Sequence, residues 1–268
     1  PVAMGLAASR INVTVDIFLI SLLAQRSMTW LNYAFRIMHL PLGLFGIAVG
    51  TVALPTISKY VVQGKHAEAK ATLFDSLKLV FFLTISSAAI IAFLSHPITR
   101  LIYERGMFTR VDTDATKIAL ILYIIGIPFI AGIRNVAAVF YAYKDSKTPM
   151  YASFVAVGVN VILNLVLMRI IGFRAFPLST TISSFLNLAI LFYFLPRKIG
   201  KFNILPLVKY FILLAIAACA AGLAAMVIND FLVNAIGLAF VNQILNLLIS
   251  GIIALAIFYS LCLILGLG

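Results

Sequence analysis

This chain is short of charge, and above all short of acid. Only 10% of its 268 residues are charged, with 8 Asp and Glu against 20 Lys and Arg. Soluble domains run to about 25% charged and about 45–50% apolar residues. Here 63% are hydrophobic and the mean hydropathy is +1.14, more apolar surface than a core in water absorbs. Cysteine is nearly absent too. Cys219 and Cys262 both sit inside long apolar runs, which excludes a disulfide framework and a Cys/His metal site. His39, His66 and His96 share no metal-ligand spacing and no pairing with a nucleophile. The acids form no cluster of the kind that holds magnesium for chemistry on isoprenoid phosphates, and no Gly-rich phosphate loop occurs. These gaps point away from catalysis. The net charge of +12 invites a nucleic-acid reading, but the basic residues sit in short connections between apolar runs, with no basic stripe interleaved with aromatics. No cofactor or nucleic-acid partner is expected.

What the chain has in abundance is apolar runs of spanning length, about 20 residues each. They fall near 5–24, 34–58, 77–95, 116–142, 149–170, 176–196, 205–228 and 240–266. The runs are too long for barrel strands and do not alternate with period two. The fold class is therefore all-α, a polytopic membrane helix bundle of about eight transmembrane helices. Two connections are longer than the rest. Lys59 to Lys78 is polar with helical spacing of charges and reads as an amphipathic surface helix; His96 to Lys117 reads as an interfacial segment at the opposite side. Loops after the second, fourth and sixth runs carry Lys59, Lys65, Lys70, Lys78, Lys144, Lys147, Arg197, Lys198, Lys201 and Lys209. The opposite loops carry mainly arginine: Arg26, Arg100, Arg105, Arg110, Arg169 and Arg174, with Lys117. The lysine bias places the first set, and both chain ends, in the cytoplasm.

Charge at membrane depth is costly and marks functional candidates. Asp16, Arg36 and Arg134 stand inside or at the lip of the runs. Arg36, His39, Gly43, Gly46 and Gly50 follow one another at intervals of three and four, on one face of a helix that Pro41 is expected to kink. That face is either a helix-packing groove, with Arg36 reaching the headgroups, or a cavity wall where Arg36 meets an anionic substrate. Ser9, Asn12 and Asp16 share a second face; Ser153, Asn160 and Asn164 a third; and Thr180, Ser183 or Ser184, and Asn187 a fourth. Together they read either as interhelical hydrogen bonding or as an oxygen-lined site for sodium or a proton. Arg134 either lines the same cavity or neutralises Asp16. The last two runs carry few polar groups and suit a lipid-like chain.

Three stretches resemble the MurJ/MviN family, the lipid II flippases of the multidrug/oligosaccharidyl-lipid/polysaccharide exporter superfamily. "NYAFRIMHLPLGLFGIAVGTVALPTIS" is similar to the pattern Y-A-D-R-x-x-E-L-P-L-G-x-F-G-x-A-x-G-T-x-x-L-P. "ERGMFTRVDTDAT" is like R-G-x-F-T-x-x-D-T, and "FYAYKDSKTPM" like F-Y-A-x-x-D-x-x-T-P. The resemblance implies the second six-helix lobe (1–196) and the final helix pair (197–268) of a fourteen-span transporter fold. It also implies a first lobe lying before Pro1 as the missing partner. On the same footing it implies a bacterial cytoplasmic membrane protein that moves lipid II, an undecaprenyl-pyrophosphate-linked saccharide, by alternating access among membrane lipids. Arg36, His39, Gly43, Gly46, Gly50 and Arg134 are then the expected substrate-binding residues. Asp16, Asn160, Asn164 and Thr180 fall at the family's cation site, and the last two helices would form a groove for the polyprenyl tail. The chain departs from the pattern at Phe35 and His39, which replace acids, at Asn164, where some members carry an acid, and at Ala138, where proline is common. A sister exporter of another polyprenyl-linked saccharide or a drug, and a membrane scaffold without a transport cycle, remain the alternative readings.

Overall fold

The computed structural model of the protein describes residues 13–23 and 26–267, which carry helices and no strands. The helices are α1 (13–21), α2 (Ser27–Pro41), α3 (Ala48–Val62), α4 (His66–Phe93), α5 (Ser95–Tyr103), α6 (Arg110–Ile124), α7 (Ile127–Ala142), α8 (Lys147–Ile171), α9 (Ala175–Phe194), α10 (Pro196–Ile199), α11 (Leu205–Ile236) and α12 (Phe240–Ile264). Ser9 and Asn12, expected beside Asp16, lie outside the described residues. Among the described residues, six helical runs are long and apolar enough to cross a membrane. The longest, Lys147–Ile199, holds α8 and α9, which pack along each other after the chain reverses at Gly172–Arg174. Gly172 makes that reversal at φ +61°, a backbone region that side chains with a Cβ avoid. Large apolar side chains such as Val52, Ile170, Tyr193 and Phe231 are exposed, as lipid-facing surface requires.

Two of the expected runs are broken, each for a visible reason. The run 34–58 changes register at Pro41, where a π-helical turn, Leu42–Ile47, separates α2 from α3. Proline supplies no N–H to the preceding turn, and the wider turn absorbs the defect. The run 116–142 breaks at Gly126 into α6 and α7. The Gly126 N–H bonds Tyr123 O, so Leu122 O loses its helical donor and accepts the Thr181 hydroxyl from α9 instead, at 2.7 Å. A neighbouring threonine thus repairs the break inside the membrane. The expected surface helix from Lys59 to Lys78 is corrected: α3 runs to Val62, the chain turns at Gly64, and α4 already begins at His66. Charge spacing there reflected two helix ends lying at one interface.

The final pair packs onto the lobe through α11, whose buried stripe of Leu214, Ala217, Ala218, Ala221, Gly222 and Ala225 lies along α4. A Cβ built on Gly222 would collide with the Phe93 ring. Small residues here let two helices approach closely where no water drives them together. On α12 the buried face repeats every four residues, Asn246, Ser250, Ala254, Phe258 and Cys262.

The two sets of loops separate to opposite ends. At one end His66 Nδ1 lies 2.8 Å from the Tyr143 hydroxyl, Lys198 pairs with Asp145 at 2.9 Å, and Lys70 donates to Lys201 O at 3.0 Å. At the other, Tyr33 stacks on Tyr103 at 4.2 Å, Trp30 meets Phe173 edge-on, and Arg26 pairs with Asp112.

Candidate functional site

A cavity of about 340 Å³ opens between α1, α2, α7, α8 and α9. Asp16, His39, Arg134, Asn160 and Thr180 all line it, with Ser153, Ser183, Ser184 and Asn187. Three polar faces that sequence spacing could define only one helix at a time therefore converge. Asn164, buried on α8, donates one N–H to Asp16 Oδ1 at 2.7 Å and the other to Asn160 Oδ1 at 3.0 Å. Asn160 in turn donates to Ser183 Oγ on α9 at 3.3 Å. The chain Asp16–Asn164–Asn160–Ser183 thus ties α1, α8 and α9 together by side-chain hydrogen bonds. The Asn164 and Asn187 amide oxygens are buried without a hydrogen-bond partner. The Thr180 hydroxyl, on a residue that lines the cavity, donates to Phe176 O at 2.9 Å.

This cluster offers oxygen ligands from one carboxylate, two amides and two hydroxyls, the donor set that a hard monovalent cation or a proton takes. Asp16 is its single acid. Among the described residues no group of three or more His, Cys, Asp or Glu could hold a metal, so a tightly held divalent ion does not fit the charge available.

Arg134 stands exposed on the cavity wall and forms no ion pair with Asp16 among the described residues. Of the two readings of Arg134, lining the cavity is the one its position matches. The expected single face on α2–α3 is divided by the π-helical turn. His39 lines the cavity, whereas Arg36 is exposed away from its lining, with the Tyr33 ring 5.9 Å from its guanidinium carbon. Gly43 faces open space. A Cβ on Gly46 would come within 3.1 Å of Ala131 Cβ on α7, and one on Gly50 within 3.8 Å of Arg134 Cβ. Gly46 therefore serves helix packing, and Gly50 leaves room beside the arginine. Phe35 and His39, two of the departures from the family pattern, line the cavity as a contacting pair with ring centroids 4.0 Å apart.

Sequence reasoning missed what the other two motifs hold. Asp112, 3% exposed, accepts from the Thr109 backbone and hydroxyl at 2.8 Å each, from Trp30 Nε1 at 2.9 Å, and from Arg26 at 3.0 Å. It caps α6 and clamps α2 to it. Asp145 accepts from the Thr148 hydroxyl at 2.8 Å, from the Lys147 and Thr148 N–H groups at 3.1 Å, and from Lys198. It caps α8 and fastens it to α10. Burial pushes the Asp145 carboxyl up, but the Thr148 and Lys198 donors outweigh it and hold the group below the usual carboxylate range. The readable signal for both was an Asp three residues from a Thr at a helix start.

Spanning helices packed around a polar cavity, with the pair α11 and α12 packed against α4, define a polytopic membrane helix bundle. An outward-facing multidrug resistance MATE family transporter of the MOP superfamily matches 97% of this chain and 62% of its own, with a TM-score of 0.65 at 14% identity, a likeness of fold alone. The family is narrower. The profile described as "Lipid II flippase MurJ" matches residues 1–246, and the chain belongs to that family. A solved structure described as "Lipid II flippase MurJ, inward closed conformation" matches 96% of this chain and 52% of its own, with a TM-score of 0.72 at 30% identity. The "Probable lipid II flippase MurJ" of Vibrio cholerae serotype O1 is 33% identical over 193 residues, covering 72% of this chain and 37% of the relative. The chain thus spans about half or less of the length of these relatives. It is a multi-pass bacterial membrane protein.

Proposed function

We propose that this chain forms the second lobe and closing helix pair of a lipid II flippase that works by alternating access in the cytoplasmic membrane. The observation that carries the reading is the cavity, which gathers Asp16, His39, Arg134, Asn160 and Thr180 at one site within the bundle. Polar groups at membrane depth face bundle interiors and pathways, and a transported headgroup needs such a path. Arg134 and the exposed Arg36 supply bidentate donors for a pyrophosphate, replacing water around it. His39 lines the wall that receives it, and Gly50 leaves room beside Arg134. The Asp16, Asn160, Asn164 and Thr180 oxygens take up sodium or a proton, and occupancy of that site biases the rocking of this lobe against its partner. The polyprenyl tail stays in lipid, against an apolar cavity of about 350 Å³ bordered by Phe81, Phe129, Phe185, Phe192 and Phe211, where α11 meets the lobe. The lysine-rich loop end faces the cytoplasm, and with it both ends of the segment. The protein transports its substrate and performs no catalysis on it.

The test is complementation of a strain depleted of its own lipid II flippase by the gene that carries this segment. Arg36→Ala and Asp16→Ala are expected to abolish growth at normal membrane levels of the protein. Growth of the Arg36→Ala strain at the unmutated rate would overturn the role given to that residue.

A further inference from the structure

A second polar cavity, of about 330 Å³, lies at the end of the bundle opposite the lysine-rich loops, between the α4–α5 corner, the start of α6 and the tips of α11 and α12. One wall is basic. Arg100 and Lys117 line it, and each has a carboxylate beside it: Arg100 Nε is 3.7 Å from Glu104 and Lys117 Nζ 3.8 Å from Asp114. His96 lines the same wall, with Nε2 3.7 Å from Asp114. Burial, then the neighbouring Lys117, holds the His96 imidazole below its usual pKa, so it is a neutral hydrogen-bonding group at neutral pH. The facing wall is rich in acceptors. It presents the exposed Asp230 carboxylate and two amides, Asn229 (5% exposed) and Asn246 (1% exposed), whose Oδ1 atoms are buried without a hydrogen-bond partner.

Buried acceptors without donors are costly, and two of them on residues lining one cavity call for a group that donates. The cations across from them are already balanced by Glu104 and Asp114, so the cavity as a whole is not a trap for a bare anion. Its lining is two-sided, with N–H donors of Arg100, Lys117 and His96 on the α5–α6 side and acceptors on the α11–α12 side. Phe93, Leu94, Met226 and Val233 supply an apolar border that acyl chains can follow.

We propose that this cavity seats the phosphoethanolamine headgroup of a membrane phospholipid, with the phosphate against Arg100, Lys117 and His96 and the ammonium N–H groups donating to Asp230 and the amide oxygens of Asn229 and Asn246. A choline headgroup has the same charges but no N–H to donate. A phosphoglycerol headgroup lacks the positive end. The lipid would bridge the lobe to the tip of the final helix pair, beside the small cluster of Leu94, Ala225 and Ala254 that joins them.

The test titrates phosphatidylethanolamine, phosphatidylcholine and phosphatidylglycerol of identical acyl chains onto the purified protein and follows binding by native mass spectrometry. Phosphatidylethanolamine is expected to bind about tenfold tighter than phosphatidylcholine, for the hydrogen bonds only it can donate. Asn229→Leu should erase most of that preference without lowering the thermal midpoint of the lipid-free protein, because it removes an unpaired polar atom. Arg100→Gln should weaken both zwitterionic lipids alike. Equal binding of the two zwitterionic lipids, or tightest binding of phosphatidylglycerol, would overturn the proposal. So would an Asn229→Leu protein that keeps the preference. The lipid series on the unmutated protein decides the matter even if a variant fails to fold.

Discussion

Replacing Asp112 by alanine is expected to destabilise the protein by roughly 3 kcal/mol, with most of the loss passing through Trp30 rather than Arg26. The carboxylate is 3% exposed and accepts from three residues. Trp30 is part-buried, and its indole N–H would be left without an acceptor, costing about 2 kcal/mol for a bond to a charged group. Losing the bonds from Thr109 at the start of α6 removes a helix cap, worth about 1 kcal/mol, since water can reach that exposed residue. The Arg26 side chain is 56% exposed, so its ion pair is screened and adds about 0–1 kcal/mol. Denaturant titration in mixed micelles of Asp112→Ala, Trp30→Phe, Arg26→Gln and the double variant Trp30→Phe/Asp112→Ala measures each share. The Trp30–Asp112 coupling should exceed 1 kcal/mol, by the estimate of about 2 kcal/mol for that bond. If Arg26→Gln costs as much as Asp112→Ala, the reasoning is refuted, because a surface ion pair would then be carrying the clamp.

Asp145 should make stability depend on acid. Its folded pKa lies below the unfolded value, so its contribution is complete above about pH 4 and is lost as pH falls through the folded value; Asp145→Asn should flatten that part of a pH–stability curve. The three glycines of the first motif should separate by packing. Gly46→Leu, forced against Ala131, is expected to cost about 1–3 kcal/mol, whereas Gly43→Ala, with nothing within 4 Å, should leave thermal stability unchanged. Asn164→Leu removes the donor to both Asp16 and Asn160 and should lower stability by about 0.6–2 kcal/mol, the range of intramembrane hydrogen bonds; an unchanged midpoint would show that the chain of bonds through α8 carries no weight.

The helices, their apolar lengths and the segregation of lysine-rich from arginine-rich loops were legible in the sequence, because the bilayer demands about 20 apolar residues per crossing and lets charge gather only at the ends. Family membership was legible too, from three motifs in order. Their physical work was not. The first motif looked like one continuous face, but Pro41 withdraws a donor and the π-helical turn that follows rotates the glycines relative to Arg36 and His39. The break at Gly126 was hidden because its repair comes from Thr181, 55 positions away on another helix.

The sequence by itself determined that this is an all-helical membrane protein, which polar residues lie at membrane depth and which loops share a side. Hydropathy and helical spacing are local properties, and the lipid phase acts on each segment separately. Only the tertiary structure decided that the faces of Asp16, Asn160 with Asn164, and Thr180 with Ser183 meet in one cavity with His39 and Arg134, while Arg36 stands outside its lining. That meeting depends on how helices rotate and cross. In a bilayer those rotations are set by small-residue contacts such as Gly46 on Ala131 and Gly222 on Phe93, whose partners lie far apart along the chain.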